Sequence, residues 1–544
     1  MGIPGFFKRW LSQKVPYVIE NKIPFNVTSL SFDLNGLFHS VATKVFNYKT
    51  DDPKLLEILS KVEPQQLEIE LITQIGTSIL DIIKQVRPRD FVMLSVDGMV
   101  PVSKIQQQKR RREKTARNRD VLEKFDRNSI TPGTRFMFEL SNYLTRFVMQ
   151  NQKEFPPHVV YSSHLVTGEG EQKIMEYYRT NTYKQGNHIV YGLDADLIML
   201  CLLSPVTNIY VARENLNQLI NIHELRKYLK RRTKKPTAVE DFVVMMYFIG
   251  NDFLPHIPCF DDIFTSVELL LDTYSQGDYR LTLDNNEINW SDMRRFVSKL
   301  AEVENKLLID LYSKERGHLS TILQKAVIEQ KFYPSVFRRE WYKNSFGPRD
   351  ETMPLASVIQ KIINLDLPPD LEPVYNILEP NEKKITEMSI NYLQMMSWTY
   401  LYYRQGGDYV NIGLYYAYHH APLLQDLLKV LDKIGKEYEI LGYKAFNGML
   451  RYTVLHQMVA VIPIKSKDLL PLELQNLYLY NSPIRDFYLE NFIIEKGNED
   501  REDLVIIPFI DMQRIIEAVI QHPMKKDYVM KWLPEQTKIL KQRK

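Results

Sequence analysis

Four short apolar runs stand in the first half of the chain: Ser29–Leu34, Phe91–Val96, His158–Ser162 and His188–Leu193. Charged or periodically apolar segments of helical length separate them. Short apolar runs with polar flanks read as buried strands, and longer segments with apolar positions every three or four residues read as helices. Strands alternating with helices predict an α/β fold with a mostly parallel sheet flanked by helices. In such a sheet the carboxyl ends of the strands open onto one crevice.

Those ends are acidic. Asp33 lies in the first run, Asp97-Gly98 follows the second, and Asp194-Ala-Asp196 follows the fourth. The third run leads into Gly168-Glu-Gly-Glu171, ahead of a helix predicted over Gln172–Arg179. A further acid, Asp252, follows a helix-like run in Phe248-Ile-Gly-Asn-Asp252.

The rest of the chain is less regular. Residues 271–380 read as a mixed, mainly helical connecting segment, and residues 381–440 are rich in Tyr and Trp with a helical period. Short apolar segments broken by prolines follow, then a basic tail, Lys541-Gln-Arg-Lys544. There is no internal repeat and no clear linker. One catalytic unit is expected, built from a nuclease segment (1–270), a connecting segment (271–380) and a second core segment (381–544).

Composition narrows the function classes. The chain has 544 residues, 44% of them hydrophobic, enough for a sizeable core. A net charge of +3 gives no global field, so nucleic-acid binding has to come from a local cluster. The two cysteines, Cys201 and Cys259, have no metal-ligand spacing and make no disulfide framework, which fits a reducing compartment. The most apolar stretch, Phe242–Gly250, is too short to span a bilayer, and Met1–Trp10 lacks a signal-peptide core. A soluble intracellular protein is the expectation.

Taken singly, the acids are ambiguous. Asp97-Gly98 is also a turn signal, and Asp194, Asp196, Glu169 and Glu171 are also plausible helix-start acids. Asp252 alone reads as part of a turn, whereas Asp33 ends an apolar strand, where an unpaired carboxylate is costly. Gathered at one crevice, seven carboxylates would raise each other's pKa values. Hard divalent cations held by carboxylate oxygens relieve that repulsion. Two such ions roughly 4 Å apart form a phosphoryl-transfer site. No His or Cys set competes, so Mg2+ or Mn2+ is expected rather than zinc.

Lys104–Arg119 carries eight basic residues and one acid, Glu113. A solvated helix face or an import tract would also look like this. However, Lys104, Gln108, Arg111 and Arg112 fall at i, i+4, i+7 and i+8 and share one helix face. Such a face suits a terminal phosphate, because Arg presents forked donors to phosphate oxygens. A second basic run, Lys230–Lys235, reads as a solvated face with no assigned role.

At this point the motifs resemble a family, the Xrn 5′→3′ exoribonucleases. Met1-Gly-Ile-Pro-Gly-Phe-Phe-Lys-Arg-Trp10, Asp33-Leu-Asn-Gly-Leu-Phe-His39, Ser95-Val-Asp-Gly-Met-Val-Pro101 and Asn128-Ser-Ile-Thr-Pro-Gly-Thr134 carry the likeness. So do Gly168-Glu-Gly-Glu-Gln-Lys173, Tyr191-Gly-Leu-Asp-Ala-Asp-Leu197 and Ile249-Gly-Asn-Asp-Phe-Leu-Pro255. Tyr415-Tyr-Ala-Tyr-His-His-Ala-Pro422, Ser482-Pro-Ile-Arg-Asp-Phe-Tyr488 and Ile507-Pro-Phe-Ile-Asp511 extend it toward the C-terminus.

The resemblance implies a PIN-like fold related to flap endonucleases, with a mainly helical C-terminal segment completing the core. It implies that Asp33, Asp97, Glu169, Glu171, Asp194, Asp196 and Asp252 are catalytic, metal-binding acids. Lys104, Gln108, Arg111 and Arg112 would bind the 5′-phosphate, in a pocket that admits a monophosphate and excludes a cap or triphosphate. His39 would stack on the terminal base. The implied activity is processive degradation of decapped, single-stranded RNA to 5′-mononucleotides. The setting would be mRNA decay in the cytoplasm, by a monomer working with decapping enzymes.

The chain also departs from the family. Tryptophans usual before the Tyr-Tyr-x-Tyr-His motif are replaced by Ile412 and Leu414, leaving Tyr409, Tyr415 or Trp398 as substitute stacking partners. Thr167 and Gln172 replace a usual Pro and His. The chain stops just past the core, which suggests a short form such as a large DNA virus or a reduced genome would carry. Two rival readings share parts of the pattern: a structure-specific 5′ DNA nuclease of flap-endonuclease type, and a catalytically dead RNA-binding scaffold.

Overall fold

The computed structural model describes residues 5–46, 61–119, 124–180, 185–213, 216–312, 317–346, 381–497, 503–522 and 530–542. Its centre is strand β2 (Val27–Asp33), all seven of whose residues are buried. The strand is polar at Ser29 and Ser31, yet both hydroxyls are satisfied. Ser31 Oγ lies 3.1 Å from the Tyr178 hydroxyl, and Ser29 Oγ lies 2.8 Å from His188 Nδ1.

The sheet has eight strands in the order β1-β7-β6-β5-β2-β3-β4-β12. Strands β3 (Phe91–Ser95), β4 (His158–Ser162), β5 (Asn187–Tyr191) and β6 (Asn208–Ala212) run parallel with β2. Strands β1 (Ile19–Glu20), β7 (Leu219–Asn221) and β12 (Lys538–Gln542) pair antiparallel at the edges. Two hairpins lie elsewhere: β8 (Val327–Ile328) with β9 (Lys331–Phe332), and β10 (Ile493–Glu495) with β11 (Leu504–Ile506). The α/β class and the four predicted strands are therefore present. β1, β6, β7 and β12 are additions.

Parallel register places the strand ends together. Asp33 is level with Ser95, Ser95 with Ser162, and Phe32 with Tyr191. The acids that follow these strands leave the sheet at one end for this reason.

Helices cover both faces. Val92 and Leu94 point into one core with the helices Leu34–Phe46, Pro64–Val86 and Arg135–Gln150. Phe91 and Met93 point into the other, with the helices Gly170–Thr180, Asp196–Leu203 and Ala238–Met246. That second core continues without a break into the helix Glu382–Gln405 and on to Tyr443.

A third core holds the basic helix, Val102–Arg117. Val102 and Ile105 pack there with Val459, Tyr488 and Ile510 from the C-terminal segment. Few apolar side chains anchor so charged a helix, so Ile105→Ala would cost about 2–5 kcal/mol. Gln106 adds a paired bond, donating to Ile510 O and accepting from Ile510 N, each at 2.9 Å.

The basic tail is not a free tail over its described part. Lys538–Gln542 is the edge strand beside β4, and Lys541 Nζ donates to the carbonyls of Gln152 and Phe155. The second basic run is also partly structural: Lys235 Nζ donates to the carbonyls of Tyr274, Gly277 and Tyr279. Much of the connecting segment, residues 347–380, lies outside the described residues. Among the described residues no helix is long and apolar enough to cross a membrane.

Candidate active site

Four strand ends and one helical turn build the site. β2 delivers Asp33 as its last residue, and β3 leads directly to Asp97. The loop after β4 brings Glu169 and Glu171 to the start of the helix Gly170–Thr180. The loop after β5 carries Asp194, and Asp196 opens the helix Asp196–Leu203. Asp252 follows a 3-10 turn, Tyr247–Ile249, after Gly250 at φ 90°.

The acids converge. One carboxylate oxygen from each of Asp33, Glu171 and Asp194 lies within 4.8 Å of the others. These three, with Asp97 and Glu169, line a cavity of about 470 Å³. Asp252 and Asp196 do not line it. Asp252 is joined to it by Lys104 Nζ, 2.7 Å from its Oδ2, and Asp196 is buried at the head of its helix.

Asp97 is fixed on both oxygens: Asn35 Nδ2 donates to Oδ2 at 3.0 Å and the Gly170 amide to Oδ1 at 2.8 Å. In contrast, Asp33 Oδ1, Glu171 Oε2 and Asp196 Oδ1 are buried and accept no hydrogen bond from a described residue. Buried carboxylate oxygens without donors are expensive. An all-oxygen cluster of this kind fits a hard divalent cation.

Electrostatics agree with crowding. Burial, then Asp97 and Asp194, raise the Asp33 pKa well above the usual carboxylate range. Burial and Glu169 do the same to Glu171. Asp196 is pushed up to about 7 by burial and Asp252. From the sequence, relief of this repulsion is expected from divalent cations, and the structure adds a protein cation. Lys104 Nζ contacts Glu169 as well as Asp252. Burial works against its charge, but Asp252 and Glu169 outweigh that and raise its pKa.

The basic face is split. Lys104 and Arg111 line the same cavity as the acids. Gln108 is buried and meets Gln457 Nε2 at 3.4 Å. Arg112 is buried too, its Nε donating to Thr131 Oγ1 at 2.9 Å while Nη1 has no partner among the described residues. Burial and Arg111 lower its pKa to about 9. Three other basic residues serve the C-terminal segment: Lys109 lies over Tyr488, Arg110 over Phe509, and Lys114 pairs with Asp503 at 3.0 Å.

His39, one turn along the helix from Asn35, lines the cavity. Burial, with Arg111, Arg112 and Arg127 nearby, lowers its pKa to about 3, so the ring is neutral. Of the substitute aromatics, Trp398 is fully buried and donates to Asn411 O, which commits it to the core. Tyr415 stacks on Phe509 at 5.8 Å, and Tyr409 is exposed.

Three contributors escaped sequence reasoning. Asn35 and Lys173 sat inside quoted motifs; Lys173 Nζ donates to Val96 O at 2.6 Å and Ser163 O at 3.0 Å, tying β3 to β4 beneath the acids. Tyr402 donates to Glu169 Oε1 at 2.8 Å across 233 residues of sequence, and no local signal marks it.

Comparisons with known proteins cover nearly the whole chain. Residues 1–215 match the model described as the XRN 5′-3′ exonuclease N-terminus. Residues 233–332 and 374–528 match that of the Xrn1 helical domain. The 5′-3′ exoribonuclease 1 of Schizosaccharomyces pombe is 27% identical, over 95% of this chain and 48% of that protein. The human 5′-3′ exoribonuclease 1 is 27% identical, over 97% and 34%. A Drosophila melanogaster 5′-3′ exoribonuclease 2 homolog is 24% identical, over 96% and 71%. The chain thus spans half or less of the length of the first two relatives. A solved structure of the T5 D15 protein co-crystallised with metal ions overlaps 58% of this chain and 97% of its own. Its identity is 12% and its TM-score 0.28, too low to carry an argument.

Proposed function

This chain belongs to the XRN 5′-3′ exonuclease family, and from that premise we propose that it is a 5′→3′ exoribonuclease acting on single-stranded RNA with a 5′-monophosphate. The observation that carries this reading is one cavity lined both by converging acids and by Lys104, Arg111 and His39. A phosphate-binding face beside a phosphodiester-cleaving centre holds a substrate end while the adjacent linkage is cut. We read the fold as PIN-like, with residues 1–270 as the nuclease segment, 271–380 as connector and 381–544 as the second core segment.

Asp33, Glu171 and Asp194 would hold one divalent cation, and Asp97, Glu169, Asp196 and Asp252 would complete a two-ion site for Mg2+ or Mn2+. Two such ions supply an activated water and stabilise the leaving oxygen. The protein's own residues do the rest. Arg111 and Arg112, with Lys104 and Gln108, bind the terminal phosphate; Arg112 Nη1, buried and without a partner among the described residues, suits an anion. The neutral ring of His39 stacks on the first base, which tolerates any sequence. The 5′-mononucleotide leaves, and the new end enters the same pocket. In this reading the chain is a monomer that works in cytoplasmic mRNA decay beside decapping enzymes.

The test is a panel of end-labelled RNA and DNA oligonucleotides carrying 5′-hydroxyl, 5′-monophosphate or 5′-triphosphate ends, with and without Mg2+. Cation-dependent release of mononucleotides from 5′-monophosphate RNA is expected. Preference for branched DNA, or turnover indifferent to the 5′ end, would refute the proposal.

A further inference from the structure

We propose that Tyr402 is a positioning residue for the acid centre: its hydroxyl anchors one oxygen of Glu169 so that the other faces the divalent cation. This rests on reading Glu169 as one of the metal-binding acids.

The Glu169 carboxylate is gripped from two sides. Oε1 accepts from the Tyr402 hydroxyl at 2.8 Å, and Oε2 contacts Lys104 Nζ. The two donors differ in what else they hold. Lys104 also pairs with Asp252 and lines the cavity, so its ammonium competes with an incoming cation for the same oxygens. The Tyr402 hydroxyl, by contrast, has Glu169 as its partner among the described residues.

Tyr402 cannot easily turn away. It lies on the helix Glu382–Gln405, is 1% exposed, and stacks on Trp398 at 4.8 Å with the Phe253 ring edge-on at 5.7 Å. Trp398 is fixed in turn by its bond to Asn411 O, and Ile412 O accepts from Val102 N at the start of the basic helix. The C-terminal segment therefore reaches both the acids and the phosphate-binding helix. Oε1 stays anchored while Oε2 exchanges Lys104 for the cation. Without the hydroxyl, Glu169 is free to rotate onto Lys104 with both oxygens and withdraw from the site.

Partners that orient a ligating carboxylate typically govern metal affinity by 10–100-fold. The experiment titrates the full chain with Mn2+ and reads free Mn2+ by electron paramagnetic resonance, with melting temperatures measured alongside. Tyr402→Phe should weaken Mn2+ binding on the order of 10-fold or more, and excess Mn2+ should restore most of its turnover. Trp398→Phe disturbs the same packing but keeps the hydroxyl, so it should lower the melting temperature without moving the Mn2+ midpoint. Glu169→Gln tests the parent reading and should weaken binding at least as much. If Glu169→Gln weakens binding and Tyr402→Phe does not, the positioning role is overturned and the metal site stands. An equal midpoint shift in Trp398→Phe assigns the effect to packing and likewise overturns it. If Glu169→Gln leaves Mn2+ binding unchanged, the reading of Glu169 fails, and this inference with it.

Discussion

Gly170→Ala should inactivate the site while leaving the protein folded. A Cβ at position 170 would stand 2.4 Å from Asp33 Oδ1 and 3.5 Å from Asp97 Oδ1. Real Cβ contacts are not found below 3.0 Å, so Asp33 Oδ1 must retreat by about 0.6 Å at least. It is the tip of a short side chain, and the movement itself costs little. Mg2+, however, holds oxygens at about 2.0–2.1 Å in a near-ideal octahedron, and metal sites tolerate errors of only about 0.2 Å. A misplacement approaching 1 Å in a catalytic constellation costs on the order of 100-fold. Stability should move the other way if at all, because Ala is favoured over Gly in a helix by up to about 1 kcal/mol, and position 170 opens one. The assay is single-turnover cleavage of 5′-monophosphate RNA at saturating Mg2+, with thermal melting of the cation-free protein. We expect a loss of about 100-fold in rate with a melting temperature equal to or above wild type. A variant that folds and cleaves within about threefold of wild type would show that Asp33 Oδ1 has no part in the chemistry.

Three further outcomes follow from the same geometry. Asp194→Ala and Asp196→Ala should each abolish cleavage; Asp196→Ala should also melt no lower than wild type in EDTA, since it removes a carboxylate whose pKa is pushed up to about 7 by burial and Asp252; loss of folding instead of activity would contradict this. Arg111→Ala should raise KM for 5′-monophosphate RNA by roughly 10–100-fold, as for a lost charge-assisted hydrogen bond, while 5′-hydroxyl RNA is little affected in parallel kinetics. Stability should also fall with acid through His164, which is buried, accepts from the Gly133 amide, and has a pKa lowered to about 3 by burial. Its folded pKa lies below the unfolded value of about 6.5, so its contribution is complete above pH 6.5 and shrinks as pH falls toward 3, by about 2 kcal/mol at pH 5. Urea midpoints from pH 8 to pH 5 should show this slope in wild type and a flatter one in His164→Gln.

Not all of the site was equally visible. Asp33, Asp97 and Asp194 were legible because each follows a strongly apolar strand, and parallel strands end on one side. Lys104 and Arg111 were legible as a helix face because 3.6 residues make a turn. That spacing could not say which cations would reach the cavity. Arg112 was read onto the same face as Arg111, but its Nε is held by Thr131 and only Lys104 and Arg111 of that face line the cavity, while Arg110 and Lys114, off that face, are taken up by Phe509 and Asp503 of the C-terminal segment. Nor did alternation reveal β12, a strand of Lys, Ile, Leu and Gln residues that owes its conformation to the open edge of β4.

The chain's own pattern settled whatever depends on near neighbours. It set the four central strands β2 to β5, the acids at their ends, and the basic helix after β3, because apolar periodicity and local residue spacing act over a few residues. Tertiary packing alone decided that Tyr402 would meet Glu169, that Lys104 would sit between Glu169 and Asp252, and that the last strand would close the sheet. Those contacts join groups far apart along the backbone, and their partners are chosen by shape and charge once the cores have formed.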